Sequence, residues 1–340
     1  MTAKNHIVIV TQLNDPHTDE MILMLNEMGH QPIRLNTDDI PSNTALSFGL
    51  GYDPSAWQGT IRIQTNGRTI DVDNIRSIWW RRPSEFRVPD ALSEREREFA
   101  KLEIEHALSG MWASLDCYWM SYPAHIRQAS WKGEQLQRAA RFGFDVPRTL
   151  ITTEPAQARA FYESCDGRII FKVMSDPLLG LSKVVEKHPE QEHELRETYT
   201  TLITEAELAQ LDTIQLVPCL FQEYIPKLIE LRVTVIGDDI FAAEIHSQEH
   251  AATSVDWRHY DVDIPYHATS LPPEIAERCL AFVKSYQLNF SALDLILTPD
   301  GRYVFIENNP NGQFMFIEHL VPELTMTAAL ANCLVRGANS

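Results

Sequence analysis

The sequence predicts a mixed α/β fold that begins with an open α/β sheet, and two observations support this prediction. The chain opens with a strand, a helix and a second strand, in the segments "HIVIVTQ", "TDEMILMLNEMG" and "QPIRLN". Strands and amphipathic helices continue to follow one another to the end of the chain. A strand, a helix and a strand are the usual beginning of an open α/β sheet. The length of 340 residues indicates two or three domains.

The first domain is predicted at residues 1–122. Thr18 is positioned to cap its first helix, and Gly29 is positioned to end it. Neither a dinucleotide fingerprint nor a P-loop motif occurs in this region. The dipeptide Asn66-Gly67 indicates a hairpin between "TIRIQ" and "TIDVDNIRSIWW".

A long helix is predicted to start at Ser93, where Glu96 completes a capping box. Apolar residues at helical spacing are expected to pack in the core: Phe99, Leu102, Leu108, Met111, Trp112 and Leu115. The phrase "YPAHIRQAS" is typical of a linker, and it suggests a domain boundary near Tyr122.

A central domain is predicted at residues 123–217. Its helix "SWKGEQLQRAARFG" is expected to be capped by Ser130 and closed by Gly143, and "RIIFKVM" is expected to be a strand. Residues 175–200 are polar and poorly periodic, which is typical of a lid.

A third domain is predicted at residues 218–340. The segments "QLVPCLFQEYI", "IELRVTVIG" and "DIFAAEIHS" are expected to be strands, the last two joined at Gly237-Asp238. The segment "PPEIAERCLAFVKSYQ" indicates a helix with proline at its start. The hairpin "SALDLILTPDGRYVFIENNP" and a final helix from about Pro322 complete the chain.

Composition narrows the function classes. A formal net charge of −18 disfavours a nucleic-acid partner, because phosphate backbones require concentrated Lys and Arg. The five cysteines are scattered and include no Cys-x-x-Cys pair, which fits a reducing cytosol. The sequence shows neither an apolar membrane span nor a signal peptide. We therefore expect a cytoplasmic protein with no nucleic-acid or membrane partner.

The predicted hairpin near the carboxyl terminus carries a candidate metal site. Asp294 interrupts the apolar strand "SALDLIL", while Glu307 and Asn309 lie two residues apart on the partner strand. Counting outward from the turn places Asp294 roughly opposite Glu307, so the three oxygen ligands share one face. Such a set suits Mg²⁺ held jointly with phosphate oxygens. The alternative is a solvated strand end, but a buried and unpaired Asp294 would then be costly.

Two lysines are candidate phosphate ligands. Lys172 interrupts the apolar run "RIIFKVM", where an unpaired ammonium group is costly, and this favours a functional role. Lys132 lies in the first turn of a predicted helix, and a plain surface lysine remains an equal alternative there.

In this order the features resemble the ATP-grasp superfamily, from Lys132 to Asn311. The resemblance implies the ATP-grasp fold, with a pre-ATP-grasp domain in front of it. It implies that both lysines bind ATP phosphates, that Glu230 binds the ribose, and that two Mg²⁺ ions bind at the three oxygen ligands. It also implies a nucleotide-binding strand formed by Gln222, Glu223, Tyr224 and Ile225, with backbone groups of Glu223 and Ile225 on adenine. The lid departs from the family pattern, because it contains a single glycine, Gly180.

Longer phrases resemble the microviridin-type peptide maturases that make graspetides. They are "YTTLIT", "LFQEYIPKLIELRVTVIGDDIFAAEIHSQ", "VDWRHYD" and "SIWWRRP". The resemblance implies ATP-dependent activation of Asp or Glu side chains in a ribosomal precursor peptide. These side chains are then joined to Ser or Thr as esters, or to Lys as amides. It also implies leader recognition at the predicted helix 204–211 and the hairpin near it, and a homodimer as a common assembly.

Three further side chains are candidates for catalysis. Arg232 and Arg258 are suited to an acyl phosphate or a carboxylate, although Arg258 is also interpretable as a surface pair with Asp256. His246 is a candidate base toward a hydroxyl group. Zinc binding by His246 and His250 is disfavoured, because their spacing suits a helix and the segment has a strand pattern. Arg81 and Arg82 either reach a peptide or cap the first domain.

Two other functions remain open from the sequence. One is an ATP-grasp ligase that adds free amino acids to a peptide or protein. The other is a non-catalytic nucleotide-binding scaffold, which the presence of Lys172, Asp294, Glu307 and Asn309 disfavours.

Overall fold

The computed structural model describes residues 4–51, 55–175, 200–258 and 262–337. In chain order the strands are β1 His6–Thr11, β2 Ile33–Asn36, β3 Thr44–Leu50, β4 Trp57–Ile63, β5 Thr69–Asp71, β6 Ile75–Trp80, β7 Tyr118–Met120, β8 Thr149–Thr152, β9 Ile169–Lys172, β10 Thr201–Leu202, β11 Cys219–Glu223, β12 Ile229–Ile236, β13 Asp239–Ile245, β14 Tyr266–Thr269, β15 Phe290–Leu297 and β16 Tyr303–Asn309.

The α-helices in these ranges are α1 Pro16–Glu27, α2 Glu94–Ala113, α3 Pro123–Ala129, α4 Lys132–Arg141, α5 Pro155–Ser164, α6 Glu205–Ala209, α7 Pro273–Lys284, α8 Met315–Leu320 and α9 Met326–Arg336. The predicted lid lies outside the described residues, apart from its two ends. No helix in the described part of the chain is both long and apolar enough to cross a membrane.

The first part of the chain contains a parallel sheet with the order β2-β1-β6-β7. This confirms the open α/β sheet that the first three elements predicted. The hairpin at Asn66-Gly67 is also confirmed, because β4 pairs with β5 on either side of it. The long segment after that turn divides, so that β5 remains in the small antiparallel sheet β3-β4-β5 while β6 joins the parallel sheet.

The central sheet has the order β10-β9-β11-β8 and is antiparallel. Strand β11 pairs with both β8 and β9, so this sheet extends past the predicted boundary at residue 217. The division into three domains remains a proposal, and the pairing of β11 favours a later start for the third.

The third sheet has the order β14-β13-β12-β15-β16. One face packs on α7 and α4 in a core that includes Val233, Leu293 and Phe282. The other face packs on α9 and on the parallel sheet, in a core that joins Phe290 to Trp79. This second core places the ends of β6 and β16 close to each other.

Three predictions about helix ends are wrong. Helix α1 begins at Pro16 with Asp15 before it, because proline suits the first helical position, and Thr18 only donates its hydroxyl to the Asp15 carboxylate at 2.8 Å. The predicted linker is helix α3, and Ser130 follows the end of that helix instead of capping α4. The last helix begins at Met326, after a short helix α8 that the sequence did not predict.

Helix α2 has the predicted capping box of Ser93 and Glu96, but its apolar stripe is only partly buried. Leu108, Met111 and Trp112 are buried, whereas Phe99 is 64% exposed and Leu102 is 52% exposed. A helix of 20 residues is about 30 Å long, whereas a strand of six residues is about 20 Å long. Its first turns therefore extend beyond the sheet, and the expectation of core packing fails there.

Candidate functional site

The candidate metal ligands lie at the open end of the β15–β16 hairpin. Asp294 is directly opposite Glu307, and Ala292 is opposite Asn309, which confirms the predicted placement. A β-bulge between Asp294 and Leu295 makes this pairing possible, because regular pairing from the turn would place Ile306 opposite Asp294. Bulges are common beside active sites, where they redirect a side chain.

Both predicted lysines contact Glu307. Lys132 Nζ, at the start of α4, lies 3.0 Å from Glu307 Oε2, and Lys172 Nζ, at the end of β9, lies 3.8 Å from the same oxygen. The Lys172 side chain is only 8% exposed. The structure thus brings two cations together on one carboxylate oxygen, although they lie 40 residues apart in the sequence.

Arg232 is the partner of Asp294. The two residues face each other across β12 and β15, and Arg232 Nη1 donates to Asp294 Oδ1 at 2.7 Å. Arg232 Nη2 donates to the backbone carbonyl of Gln313 at 3.0 Å. Arg232 Nε is buried and has no hydrogen-bond partner among the described residues, so this guanidinium group retains a free donor.

Asn309 lies between the two carboxylates. Its Nδ2 is 3.0 Å from Asp294 Oδ2 and 3.4 Å from Glu307 Oε1. Rotation of the amide group by half a turn would direct Oδ1 toward the same point. The set of two carboxylates and one amide oxygen fits Mg²⁺, which prefers oxygen ligands. In the described ranges no group of three His, Cys, Asp or Glu side chains forms a metal site. The amide of Asn309 is the third oxygen donor of this candidate site.

The charges around this point shift the pKa values of the buried groups. Burial favours the neutral form of Glu307, but the charges of Lys132, Lys172 and Arg258 outweigh it and hold the pKa well below its usual value. Burial raises the pKa of Asp294, and Arg232 opposes this increase. Burial also lowers the pKa of Lys172, which Glu307 partly offsets. Such mutually dependent charges are typical of functional sites.

Arg258 is a fourth cation of this cluster, and it is held by Asp256. Its Nε and Nη2 donate to the two carboxylate oxygens of Asp256 at 2.8 and 2.6 Å, which is a bidentate pair. Asp256 is 4% exposed and also accepts from the backbone amide of Thr200 at 3.1 Å. The pair with Asp256 is therefore present, with a buried carboxylate and an arginine side chain that is 33% exposed. The catalytic role of Arg258 stays a prediction.

Glu230, the predicted ribose ligand, lies on the same sheet face as Arg232, two residues away on β12. Lys227 Nζ donates to Glu230 Oε1 at 2.8 Å. Burial raises the pKa of Glu230, and Lys227 opposes this shift. Glu230 Oε2 is buried and has no hydrogen bond within 3.5 Å among the described residues, although the Ser247 hydroxyl lies near enough to lower the pKa of Glu230. This oxygen is the candidate acceptor for a ligand hydroxyl.

The predicted nucleotide-binding strand corresponds to β11 and the residues after it. The Gln222 side chain donates to the Thr149 hydroxyl at 3.1 Å, and the Glu223 amide donates to the Arg148 carbonyl at 3.0 Å. The Tyr224 ring lies under Arg168, with 4.5 Å from the guanidinium carbon to the ring centre. Ile225 packs in a small core with Ile296 and Val304. Their roles in adenine binding remain predictions.

His246 is not part of the charged cluster. Its ring lies 3.2 Å from Glu244 Oε2 and 5.1 Å from the ring centre of His267. Glu244 pairs with Leu231, the neighbour of Arg232, so Glu244 points to the opposite face of the sheet. Among the described contacts none joins His246 to Asp294 or Glu307, and the role of a base remains a prediction.

The structure also shows a neutral network behind the candidate metal ligands, which the sequence-based prediction did not include. Gln135 Nε2 donates to the Asn308 carbonyl at 2.9 Å, and Gln135 Oε1 accepts from the Asn308 amide at 3.0 Å. The Ser291 hydroxyl donates to Asn308 Oδ1 at 2.5 Å. Gln135 lies three residues after Lys132, so one helix both carries a cation and holds the strand of the carboxylate. The sequence feature that could have revealed this network is a glutamine on the apolar face of an amphipathic helix.

Comparison with known proteins agrees with this geometry. Residues 6–127 match the family of the MvdD pre-ATP grasp domain. The macrocyclase MdnC from Microcystis aeruginosa MRC, solved bound with precursor peptide MdnA, is 29% identical, with a TM-score of 0.81 over 98% of this chain and 100% of MdnC. The chain has the ATP-grasp fold. These matches confirm the fold predicted from the sequence and its resemblance to the microviridin-type ATP-grasp peptide maturases.

Two further structures extend the comparison. A RiPP-associated ATP-grasp ligase of Chryseobacterium gregarium, in complex with ADP and a leader and core peptide, is 27% identical, with a TM-score of 0.81 over 97% of this chain and 96% of that one. The macrocyclase MdnB of Microcystis aeruginosa MRC is 26% identical, with a TM-score of 0.76 over 97% and 99%. No curated protein sequence matches this ATP-grasp chain.

Proposed function

We propose that the chain is an ATP-dependent peptide macrocyclase. It would activate Asp or Glu side chains of a ribosomal precursor peptide as acyl phosphates and join them to Ser or Thr as esters, or to Lys as amides. The observation that carries this proposal is the buried cluster in which Lys132, Lys172, Arg232 and Arg258 surround Asp294 and Glu307.

The charge of the cluster supports phosphate binding. Four cations face three carboxylates when Asp256 is included, which leaves a local excess of positive charge in a chain of net charge −18. Lys172 and Arg232 are 8% and 7% exposed, so little water screens their charges and they attract a polyanion strongly. Triphosphate is such a polyanion, and Glu307 would then exchange lysine contacts for metal contacts.

Asp294, Glu307 and Asn309 would hold Mg²⁺, and two ions remain part of the proposal. Bound there, the metal would neutralise charge on the phosphate oxygens. Glu230 would bind the ribose hydroxyls through its Oε2. The backbone of Glu223 and Ile225 would bind adenine.

The proposed reaction has two steps. A peptide carboxylate oxygen attacks the γ-phosphorus of ATP, the bond to the bridging oxygen breaks, and ADP leaves. A hydroxyl or amine of the same peptide then attacks the acyl carbon, loses its proton and expels phosphate. Lys132, Lys172 and Arg232 would stabilise the negative charge that moves between the oxygens. Arg258, held by Asp256, would orient the carboxylate.

A ribosomally made peptide is the proposed partner. MdnC and the Chryseobacterium ligase were both solved with such peptides, and each matches nearly this whole chain. Helix α6 with the residues around it, within the predicted 204–211 segment, is the proposed leader site. A homodimer also remains a proposal.

The deciding experiment is mass spectrometry of a candidate precursor peptide, to be sought as a short open reading frame beside this gene with repeated Thr and Glu or Asp near its end. We expect each link to lower the peptide mass by one water, with one ADP and one phosphate formed per link. Omission of the leader should reduce the rate strongly. A mass gain of one residue per turnover would identify an amino-acid-adding ligase, and release of AMP and pyrophosphate would contradict the acyl phosphate.

A further inference from the structure

A cavity of about 230 Å³ lies beside the charged cluster, at the point where the parallel sheet meets the segment after β16. Its walls include His17 from the first turn of α1, Arg82 just after β6, and Gln313. The side chains of the metal and phosphate candidates do not line it. The cavity is therefore a separate space with its own polar groups.

Gln313 connects the cavity to the charged cluster. It lines the cavity, and its backbone carbonyl accepts from Arg232 Nη2 at 3.0 Å. Two residues earlier, the carbonyl of Asn311 accepts from Arg81 Nη1 at 2.7 Å. The cavity and the cluster are therefore neighbours along this segment.

The cavity has two acidic side chains, and both already have partners. Asp15 accepts from the hydroxyls of Thr11 at 2.7 Å and Thr18 at 2.8 Å, and Arg81 lies 3.9 Å away. Glu20 Oε2 lies 2.9 Å from Nε2 of His319. Neither carboxylate depends on Arg82 for its stabilisation.

Arg82, in contrast, has no carboxylate partner among the described residues, although the chain carries 18 excess negative charges. With the amide of Gln313 in the orientation that its hydrogen bonds favour, Arg82 Nη1 and Nη2 both lie 3.2 Å from the amide oxygen. A neutral amide satisfies two donors but leaves the charge uncompensated. This guanidinium group is available to an anion.

Arg81 adds a second observation. It is 1% exposed, and its Nε and Nη2 have no hydrogen-bond partner among the described residues. Burial, together with the neighbouring charge of Arg82, lowers its pKa to about 9. A further negative charge next to these two arginines would relieve their mutual repulsion.

His17 supplies a neutral donor at the same place. Its Nε2 accepts from the backbone amides of Phe314 and Met315, each at 3.4 Å, which leaves the ring proton on Nδ1. Burial, then the charge of Arg81, lowers the His17 pKa to about 3, so the ring is uncharged at neutral pH.

We propose that this cavity is a carboxylate subsite, in which Arg82 binds an acidic side chain of the peptide substrate other than the one being activated. Guanidinium pairs well with carboxylate, because its parallel N–H groups match the two oxygens. The inference rests on the proposed peptide substrate. It explains how the enzyme would fix the register of an acidic core peptide, so that one carboxylate reaches Arg232 while a second is held.

The test measures binding without ATP or turnover, so its result is independent of the macrocyclase reaction. The probe is N-acetylglutamate N-methylamide, and its neutral glutamine analogue is the control. The readout is the imidazole NMR signal of His17 in the full chain, assigned by its loss in His17→Gln. The variants are Arg82→Gln, Arg82→Lys and, as a matched control, the exposed Arg62→Gln.

We expect a saturable shift of the His17 signal with the glutamate probe and none with the glutamine analogue. Arg82→Gln should weaken the affinity at least about tenfold, because a charge-assisted hydrogen bond is lost. The affinity of Arg82→Lys should lie between those of the wild type and Arg82→Gln, and the affinity of Arg62→Gln should match that of the wild type. An equal shift with the neutral analogue, no shift in the wild type, or unchanged affinity in a folded Arg82→Gln would overturn the proposal.

Discussion

The two sides of one strand end differ in their chemistry. On one side, Glu307 and Asn309 face cations, and a buried nitrogen of Arg232 there has no partner among the described residues. On the other side, the intervening Asn308 lies in a neutral network, where Gln135 satisfies both its backbone groups. Alternation along the strand puts these environments back to back.

This comparison distinguishes the charged side, whose groups can exchange protein contacts for ligand contacts, from the neutral side, whose contacts stay fixed. Charged groups with unused donors can exchange protein contacts for a ligand, since their interactions are strong and incomplete. A neutral network in which each backbone group is paired has nothing to gain from a ligand, and it holds the strand in one position. We infer that the first side binds the substrates, while the second keeps Glu307 and Asn309 in register with Lys132.

The largest expected effect comes from Glu307→Gln on the charged side. The amide keeps the shape but loses the charge that two lysines contact and that the proposed Mg²⁺ would require, so turnover should fall by about 10³-fold or more. Steady-state ADP release with the peptide measures it, and circular dichroism should show an intact fold. The matched control is Asp300→Asn in the exposed turn of the same hairpin, which should keep near-normal rates. Near-normal rates in Glu307→Gln would refute the metal assignment.

On the neutral side, Gln135→Met should lower the stability of the fold. It keeps the volume but leaves the backbone groups of Asn308 buried and unpaired, at a cost of about 3 kcal/mol. The melting temperature should fall by roughly 4 °C, whereas Gln137→Met on the exposed face of α4 should leave it unchanged. An unchanged melting temperature in Gln135→Met would show that the network is not structural.

Asp256→Asn tests the charged side by its dependence on pH. Hydrogen bonds and charge from Arg258 outweigh burial and lower the Asp256 pKa to about 2 from an ordinary 3.8. The lowered pKa means that the carboxylate stabilises the fold by about 2 kcal/mol above pH 4, and that this is lost as the pH falls toward 2. The difference in melting temperature from wild type should therefore shrink in acid. The difference in melting temperature between Gln135→Met and the wild type should not shrink in acid. If both differences depend on pH in the same way, the comparison is contradicted.

Local features of the site were predictable from the sequence. The strand pattern and the turn "TPDG" placed Asp294 only roughly opposite Glu307, because the exact pairing depends on a bulge that the sequence did not predict. The spacing of Glu307 and Asn309 placed them on one face. The interrupted apolar run identified Lys172 and the helix start identified Lys132, but no local pattern gives their distances from Glu307. The placements within the hairpin succeeded because they depend on residues a few positions apart.

Long-range partners were not predictable in the same way. Gln135 and Asn308 are 173 residues apart, and their contact depends on how α4 packs against β16. The pair of Arg258 with Asp256 was among the interpretations of the sequence, but the contact of Asp256 with Thr200, 56 residues away, was not. Helix α3 was missed because proline and serine at its ends are also typical of a linker.

The smallest effect is expected from His246→Gln. The ring contacts Glu244 and His267 on the opposite side of the sheet, and no described contact joins it to Asp294. Turnover should therefore change by less than about threefold, within the range of mutations that leave the reacting groups in place. A loss as large as that of Glu307→Gln, with the fold intact, would restore His246 as a base.

The central claim is that the charged side binds the nucleotide, and Lys172→Ala tests it most directly. Isothermal titration calorimetry would measure the affinity for a non-hydrolysable ATP analogue with and without Mg²⁺, in the wild type and in the variant. We expect Mg²⁺ to strengthen wild-type binding, and Lys172→Ala to weaken it at least about tenfold, because a buried charge-assisted contact to phosphate is lost. An affinity that is unchanged by both Mg²⁺ and the loss of Lys172 would contradict the account.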